Sequence, residues 1–168
     1  ERWGLSVLLR MTTRVCHSRS VVRPRPEAAP APRDAHFERD IPQRVMIPAY
    51  ARPAHPRLRA KLAGIQAFNE AEGPTERVPG SPDLGIIASG VAAMHAREAA
   101  PEASLLKLGL TYPLPVETIR AFAAGVKRCV VVEEGDPYLA DAIRAAGIPV
   151  EAKDPMFRIG ELDVSRVR

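Results

Sequence analysis

The amino-acid sequence predicts an α/β fold, a doubly wound and mostly parallel sheet occupying the second half of the chain, and three observations carry that prediction. Leu84-Gly-Ile-Ile-Ala-Ser-Gly90, Ser104-Leu-Leu-Lys-Leu108 and Cys129-Val-Val-Val-Glu-Glu134 are short and nearly continuous apolar runs. Alanine-rich patterns of helical period separate them, and glycine-bearing turns punctuate the sequence between elements. A strand exposed on one side alternates apolar with polar residues, so continuous runs spaced by helices imply a parallel sheet covered on both faces. With 168 residues there is room for one domain with a substantial core, and not for two of ordinary size.

Taken in order, the chain opens at Glu1 and enters strand-like sequence from Leu5 to Thr12. A strand needs neighbours, and little follows until Leu84 except the short Arg44-Val-Met-Ile47, so the opening reads as the last strand of an upstream domain and the chain as a fragment of a longer polypeptide. Thr12 to Ser20 is a loop dense in hydroxyls and cations. Loops at the carboxyl ends of α/β strands hold ligands, which makes Thr13, Arg14, His17 and Ser18 the candidate contacts; a solvated turn that ties down its own backbone accounts for them equally well. Many of the 17 prolines bunch in Arg23-Pro-Arg-Pro-Glu-Ala-Ala-Pro-Ala-Pro32, an extended linker. Ile47 to Pro53 reads as an extended bound segment. An amphipathic helix follows His55-Pro56, with Leu58, Leu62, Ile65 and Phe68 on one stripe, and Gly73-Pro74 ends it.

The first strand of the sheet passes through Ala88-Ser89-Gly90 into a helix over Val91 to Ala100. A glycine turn before a helix can cradle an anion, but G-x-G-x-x-G is missing and the next strand ends in Lys107-Leu-Gly109 without an acid, which argues against a dinucleotide site. Gly109 to Pro115 is a proline-stiffened loop, with Tyr112 expected to wedge against the domain surface. The helix after it buries Val116, Ile119, Phe122 and Ala123 and should end on a left-handed Gly125. Glu133, Glu134 and Asp136 close the third strand. Paired acids suit acid–base or Mg²⁺ chemistry, yet neighbouring strand residues point to opposite faces, so Glu133 and Glu134 are not expected to converge. Asp136 is the expected N-cap of a helix that begins at Pro137 and stops at Gly147. His95 stands on a helix without a second ligand at helical spacing, as a partly buried histidine does.

The formal charge is +4 and the pI near 9.4, but the cations are dispersed and aromatics make up only 5%, against nucleic-acid recognition. Cys16 and Cys129 show neither disulfide nor metal spacing, which fits a reducing cytoplasm. No run has the roughly 20 apolar residues of a membrane helix.

Five ordered motifs carry a resemblance over nearly the whole chain. They are Leu8-Leu-Arg-Met-Thr-Thr-Arg-Val-Cys-His-Ser-Arg-Ser20, Val45-Met-Ile-Pro-Ala-Tyr-Ala-Arg-Pro53, Gly85-Ile-Ile-Ala-Ser-Gly-Val91, Leu105-Leu-Lys-Leu-Gly-Leu-Thr-Tyr-Pro-Leu-Pro115 and Val131-Val-Glu-Glu-Gly-Asp-Pro137, followed by the tail Phe157-Arg-Ile-Gly-Glu-Leu162. Together they resemble the large (alpha) subunit of indolepyruvate ferredoxin oxidoreductase. The resemblance implies that residues 1–22 end a pyrimidine-binding (thiamine) domain, 23–83 form a proline-rich linker and amphipathic helix, 84–152 a transketolase C-terminal-like domain, and 153–168 a tail. It implies a cytoplasmic enzyme that decarboxylates aryl 2-oxoacids oxidatively to acyl-CoA, using thiamine diphosphate, Mg²⁺, [4Fe-4S] clusters and coenzyme A. The implied partners are the remaining domains of the alpha subunit, a beta (gamma-domain-type) subunit and ferredoxin, with no nucleic acid and no membrane.

Departures from that pattern matter for activity. No Gly-Asp-Gly with a downstream Asn is present to hold Mg²⁺–diphosphate, and two cysteines cannot supply one four-thiolate cluster. The expectation is therefore a chain with no catalytic, cofactor-binding or metal-binding residues of its own, inactive in isolation, serving as a scaffold and interface module. A free-standing, non-catalytic α/β binding or assembly domain is the alternative. A beta subunit of a 2-oxoacid dehydrogenase is a third reading, disfavoured by the Leu105 to Pro115 loop.

Overall fold

The computed structural model describes residues 3–5, 8, 11, 13–23 and 37–168, with backbone alone at 14 and 15. Two units divide at Arg59 and Ala60. In the first, helix α1 spans Thr13–His17 and α2 spans Ile41–Arg44, capped by Asp40, whose carboxylate accepts from the Gln43 N–H at 3.1 Å. The expected loop at Thr12 to Ser20 is thus helical through its centre. The short strand expected at Arg44 to Ile47 is not formed, because Arg44 closes α2 and the residues after it have no ladder partner. The strand expected over Leu5 to Thr12 falls mostly outside the described residues, and Leu5, Leu8 and Met11, which are described, are not in a strand. Nearly all of the proline run also lies outside them.

Helix α3, Pro48–Ala71, begins well before the expected start after Pro56 and contains Pro53 and Pro56. Ile47 to Pro53 is accordingly not extended beyond its first residue. Each internal proline gives up one backbone bond, and the alanines and arginines around them are good helix formers, so the helix continues through. Its expected apolar stripe is only half-buried at Leu62, Ile65 and Phe68. The most deeply buried side chain is polar: Asn69, 2% exposed.

In the second unit, strands β1 (Glu76–Val78), β2 (Ser81–Ser89), β3 (Ala103–Leu108), β4 (Arg128–Val132) and β5 (Glu151–Ala152) form one sheet in the order β1-β3-β2-β4-β5. All neighbours are parallel except β1 and β3. Helix α4 (Gly90–Ala99) joins β2 to β3, α5 (Val116–Ala124) joins β3 to β4, and α6 (Tyr138–Ala145) follows β4. A 3₁₀ turn at Pro155–Arg158 and helix α7 (Val164–Val167) complete the chain.

The buried strands face two separate cores. Ile87, Leu106, Leu108 and Val131 pack with Ile119 and Phe122 of α5 and Leu139 and Ile143 of α6. On the other face Ile86, Ala88, Leu105 and Val132 pack with Ala92, Ala93 and Ala96 of α4 and with Leu162. Alternate residues of one strand thus serve opposite cores, which is why the runs read as continuous. Gly147 has the expected positive φ of +74°, whereas Gly125 has φ −87°, so α5 does not end on a left-handed residue.

Candidate functional site

Chain order fixes where a site could form. The connection from β2 leads to β3 on one side, while β4 lies on the other, so the connections diverge between β2 and β4. Ligands of open α/β sheets bind outside the carboxyl ends of the strands at such a point. Here that edge presents Ser89 and Gly90 after β2, the Gly109 to Pro115 loop after β3, Glu133 to Asp136 after β4, and Lys153 after β5.

Neither carboxylate of the Glu133-Glu134 pair is free for chemistry. Glu133 is buried and accepts from the backbone N–H groups of Leu139 at 2.7 Å and Ala140 at 3.0 Å, capping α6 from outside the helix. Glu134 points the other way and accepts from the Leu162 N–H at 3.2 and 3.3 Å. The two diverge as the strand geometry requires. Asp136, the expected cap, is exposed and makes no side-chain hydrogen bond among the described residues. Pro137 holds the N-cap position without a side-chain bond, so the orphan N–H groups of α6 turn to Glu133.

The Lys153 ammonium donates to the Glu133 carbonyl. Burial holds it below the usual lysine range, against the opposing pull of Glu133 and Glu134 and with help from Arg166 and Arg158.

Three polar residues of α3 fix the β3 loop and the start of α5, and were not evident from sequence. The Asn69 amide donates to the carbonyls of Leu110 at 3.2 Å and Pro113 at 2.9 Å, and Gln66 donates to that of Leu114 at 3.3 Å. Glu70 accepts from the Glu117 and Thr118 N–H groups at 2.9 and 3.0 Å and from the Thr118 hydroxyl at 2.7 Å. Glu70 is to α5 what Glu133 is to α6: a carboxylate from elsewhere on a helix whose own N-cap is proline. The available signal was their spacing, since 66, 69 and 70 fall on one helical face. Tyr112, at the loop's tip, is 64% exposed and does not wedge against the domain as expected.

Of the expected contact residues, Thr13 and His17 are exposed at the two ends of α1, with Arg14 between them on the backbone, and Ser18 follows the helix, also exposed. His95 is half-buried on α4. Among the described residues no three His, Cys, Asp or Glu side chains gather as a metal site.

Cys129 sits in β4, where burial first and the Glu151 carboxylate second push its thiol up to about 11. Cys16 is exposed. Ellman's reagent at mildly alkaline pH should therefore titrate one thiol in the native chain and both after unfolding; two fast native thiols would refute this placement. The folded state keeps the Cys129 proton where the unfolded chain, near the ordinary value of about 8.5, loses it. This contribution to stability is intact below that value and is lost as pH rises toward about 11.

No family model matches the chain. Related proteins do. It is 36% identical over 151 residues to indolepyruvate oxidoreductase subunit IorA of Methanothermobacter thermautotrophicus, covering 86% of this chain and 24% of that protein. The subunits of the same name from Archaeoglobus fulgidus and Pyrococcus horikoshii are 34% and 30% identical, over 88% and 99% of this chain. The chain spans about a quarter of the length of these relatives. Among solved structures, a 2-oxoglutarate:ferredoxin oxidoreductase from Magnetococcus marinus, with 2-oxoglutarate, coenzyme A and succinyl-CoA bound, superposes with a TM-score of 0.51 at 25% identity, over 64% of this chain and 20% of that one. The resemblance read from the ordered motifs and the mostly parallel α/β fold both agree with these matches.

Proposed function

We propose, from the premise that the chain is kin to one segment of the indolepyruvate oxidoreductase IorA subunits, that it is a scaffold and interface module of a 2-oxoacid:ferredoxin oxidoreductase. The observation that carries this reading is sequence identity to those subunits over most of the chain, joined to the likeness of fold. The complete enzyme would oxidise an aryl 2-oxoacid such as indolepyruvate to the acyl-CoA and pass electrons to ferredoxin in the cytoplasm. Its partners for this module would be the remaining domains of the subunit, a second subunit and ferredoxin.

An iron–sulfur cluster and a Mg²⁺–diphosphate do not fit the described residues of this chain. A cluster needs thiolates, and Cys129 is held neutral inside the sheet while Cys16 is the only other cysteine. A Mg²⁺–diphosphate site needs free converging oxygens, and Glu133 and Glu134 diverge onto backbone N–H groups. Thiamine diphosphate, Mg²⁺ and [4Fe-4S] clusters would thus be bound elsewhere in the enzyme. The module's own residues hold α5, α6 and the β3 loop in place at the carboxyl edge, and Thr13, Arg14, His17 and Ser18 would be its approach to the active site.

Isothermal titration of the isolated chain with thiamine diphosphate and Mg²⁺ should give no binding heat, and the purified chain should lack iron–sulfur absorbance. Tight cofactor binding would overturn the scaffold reading. No helix among the described residues is long and apolar enough to cross a membrane.

A further inference from the structure

The large apolar side chains that stay exposed between Ala60 and Arg168 are Met94 at 52%, Tyr112 at 64%, Tyr138 at 60%, Met156 at 70% and Ile159 at 83%. Every one follows the carboxyl end of a strand. Met94 lies in the second turn of α4 after β2, Tyr112 in the loop after β3, Tyr138 at the start of α6 after β4, and Met156 and Ile159 in the segment after β5. Among the described residues, large exposed apolar side chains are missing from the amino end of the sheet, where Lys127 pairs with Asp83 and Arg128 with Glu151, each at 2.7 Å, while Lys107 and Glu76 at 3.3 Å form a further charged pair near the carboxyl end of β3. Single exposed apolar residues scattered over a surface need no explanation, but their confinement to one end does.

The backbone that presents them is already fixed. Asn69 and Gln66 bind the loop of Tyr112, Glu133 binds the first turn of α6 below Tyr138, and Asp154 accepts from the Met156 N–H at 2.9 Å. Arg166 donates to the Ile159 carbonyl at 3.0 Å. Pre-set loops lower the ordering cost of association. Methionine and tyrosine are also the residue types enriched in protein interface cores. These side chains come from four separate connections and project outward, which suits a broad protein surface more than a small ligand. A cavity of about 270 Å³ does exist, but it lies at the far end of α4, against Ala96, Arg97, Ala100 and Pro101.

We infer that the carboxyl edge of this sheet is a protein-docking face, and that its occupant is another domain of the same longer subunit. The inference rests on the function proposed above. The match covers only 24% of the Methanothermobacter subunit, so the greater part of such a polypeptide lies outside this chain, and a tethered domain meets the face at high effective concentration.

Hydroxyl-radical footprinting tests this directly, because methionine and tyrosine are themselves reactive reporters. The 168-residue chain is compared with the complete polypeptide encoded in frame with it. Labelling of Met94, Tyr112, Tyr138 and Met156 should drop several-fold in the complete polypeptide, while Leu84 and Val126 at the amino end change little. Equal labelling of the four in both would overturn the inference and leave the proposed function standing. Protection that appears only when coenzyme A is added would overturn it in favour of a small ligand. A reading frame with no further domain would remove the proposed function and the inference together.

Discussion

Glu133→Ala is expected to destabilise the chain by about 3 kcal/mol, because it removes two charge-assisted bonds and leaves two backbone N–H groups of α6 buried without acceptors. The carboxylate reaches both Leu139 and Ala140 from the end of β4, inside the layer where Leu139, Ala140 and Ile143 pack. Glu133→Gln keeps the shape and one acceptor but loses the charge, and about half the effect is expected. Asp136→Asn, at the exposed position sequence logic favours for the cap, should change stability by no more than about 0.5 kcal/mol. Urea unfolding with unchanged slope reads all three. Equal costs for the substitutions at 133 and 136 would show that the cap is assigned to the wrong residue.

The contrast between those two acids shows where sequence reasoning stops. A cap is sought next to the helix it serves, and Asp136 before Pro137 fits that search, but the acceptor used lies at a strand end one turn of chain earlier. Glu70 repeats the situation over a much longer separation, reaching Thr118 from α3. The central strands β2, β3 and β4 were legible because burial on both faces leaves continuous apolar runs. The edge strands were not: Glu76-Arg77-Val78 and Glu151-Ala152 are short and charged, as edges that avoid further pairing tend to be. Helix α3 misled differently. Its apolar stripe was visible, yet the residue driven deepest is Asn69, and its burial makes sense only once the carbonyls of Leu110 and Pro113 are beside it. Of the candidate contacts, the sequence located a polar segment at Thr13 to Ser18 but not its helical form.

Gly109→Ala should cost about 3 kcal/mol, at the upper end of what overpacking a tight site produces. A methyl group at this position would overlap the Pro74 carbonyl oxygen and press on the Pro74 ring carbons at 2.7 and 2.8 Å. Backbone stands on one side and a rigid ring on the other, so no side chain can swing away. Relief would have to come from moving the loop, and the loop is held at the next residue by the Asn69 bond to Leu110. Gly90 supplies the comparison, since it too ends a strand but for another reason: its φ is +55°, and a methyl group added there would meet nothing within 4 Å. Gly90→Ala should therefore cost only the left-handed backbone penalty of about 1 to 2 kcal/mol. Chemical unfolding of both variants separates close packing from backbone conformation. A Gly109→Ala cost at or below that of Gly90→Ala would mean the β3 loop can shift freely, and the rigid presentation of Tyr112 would fail with it.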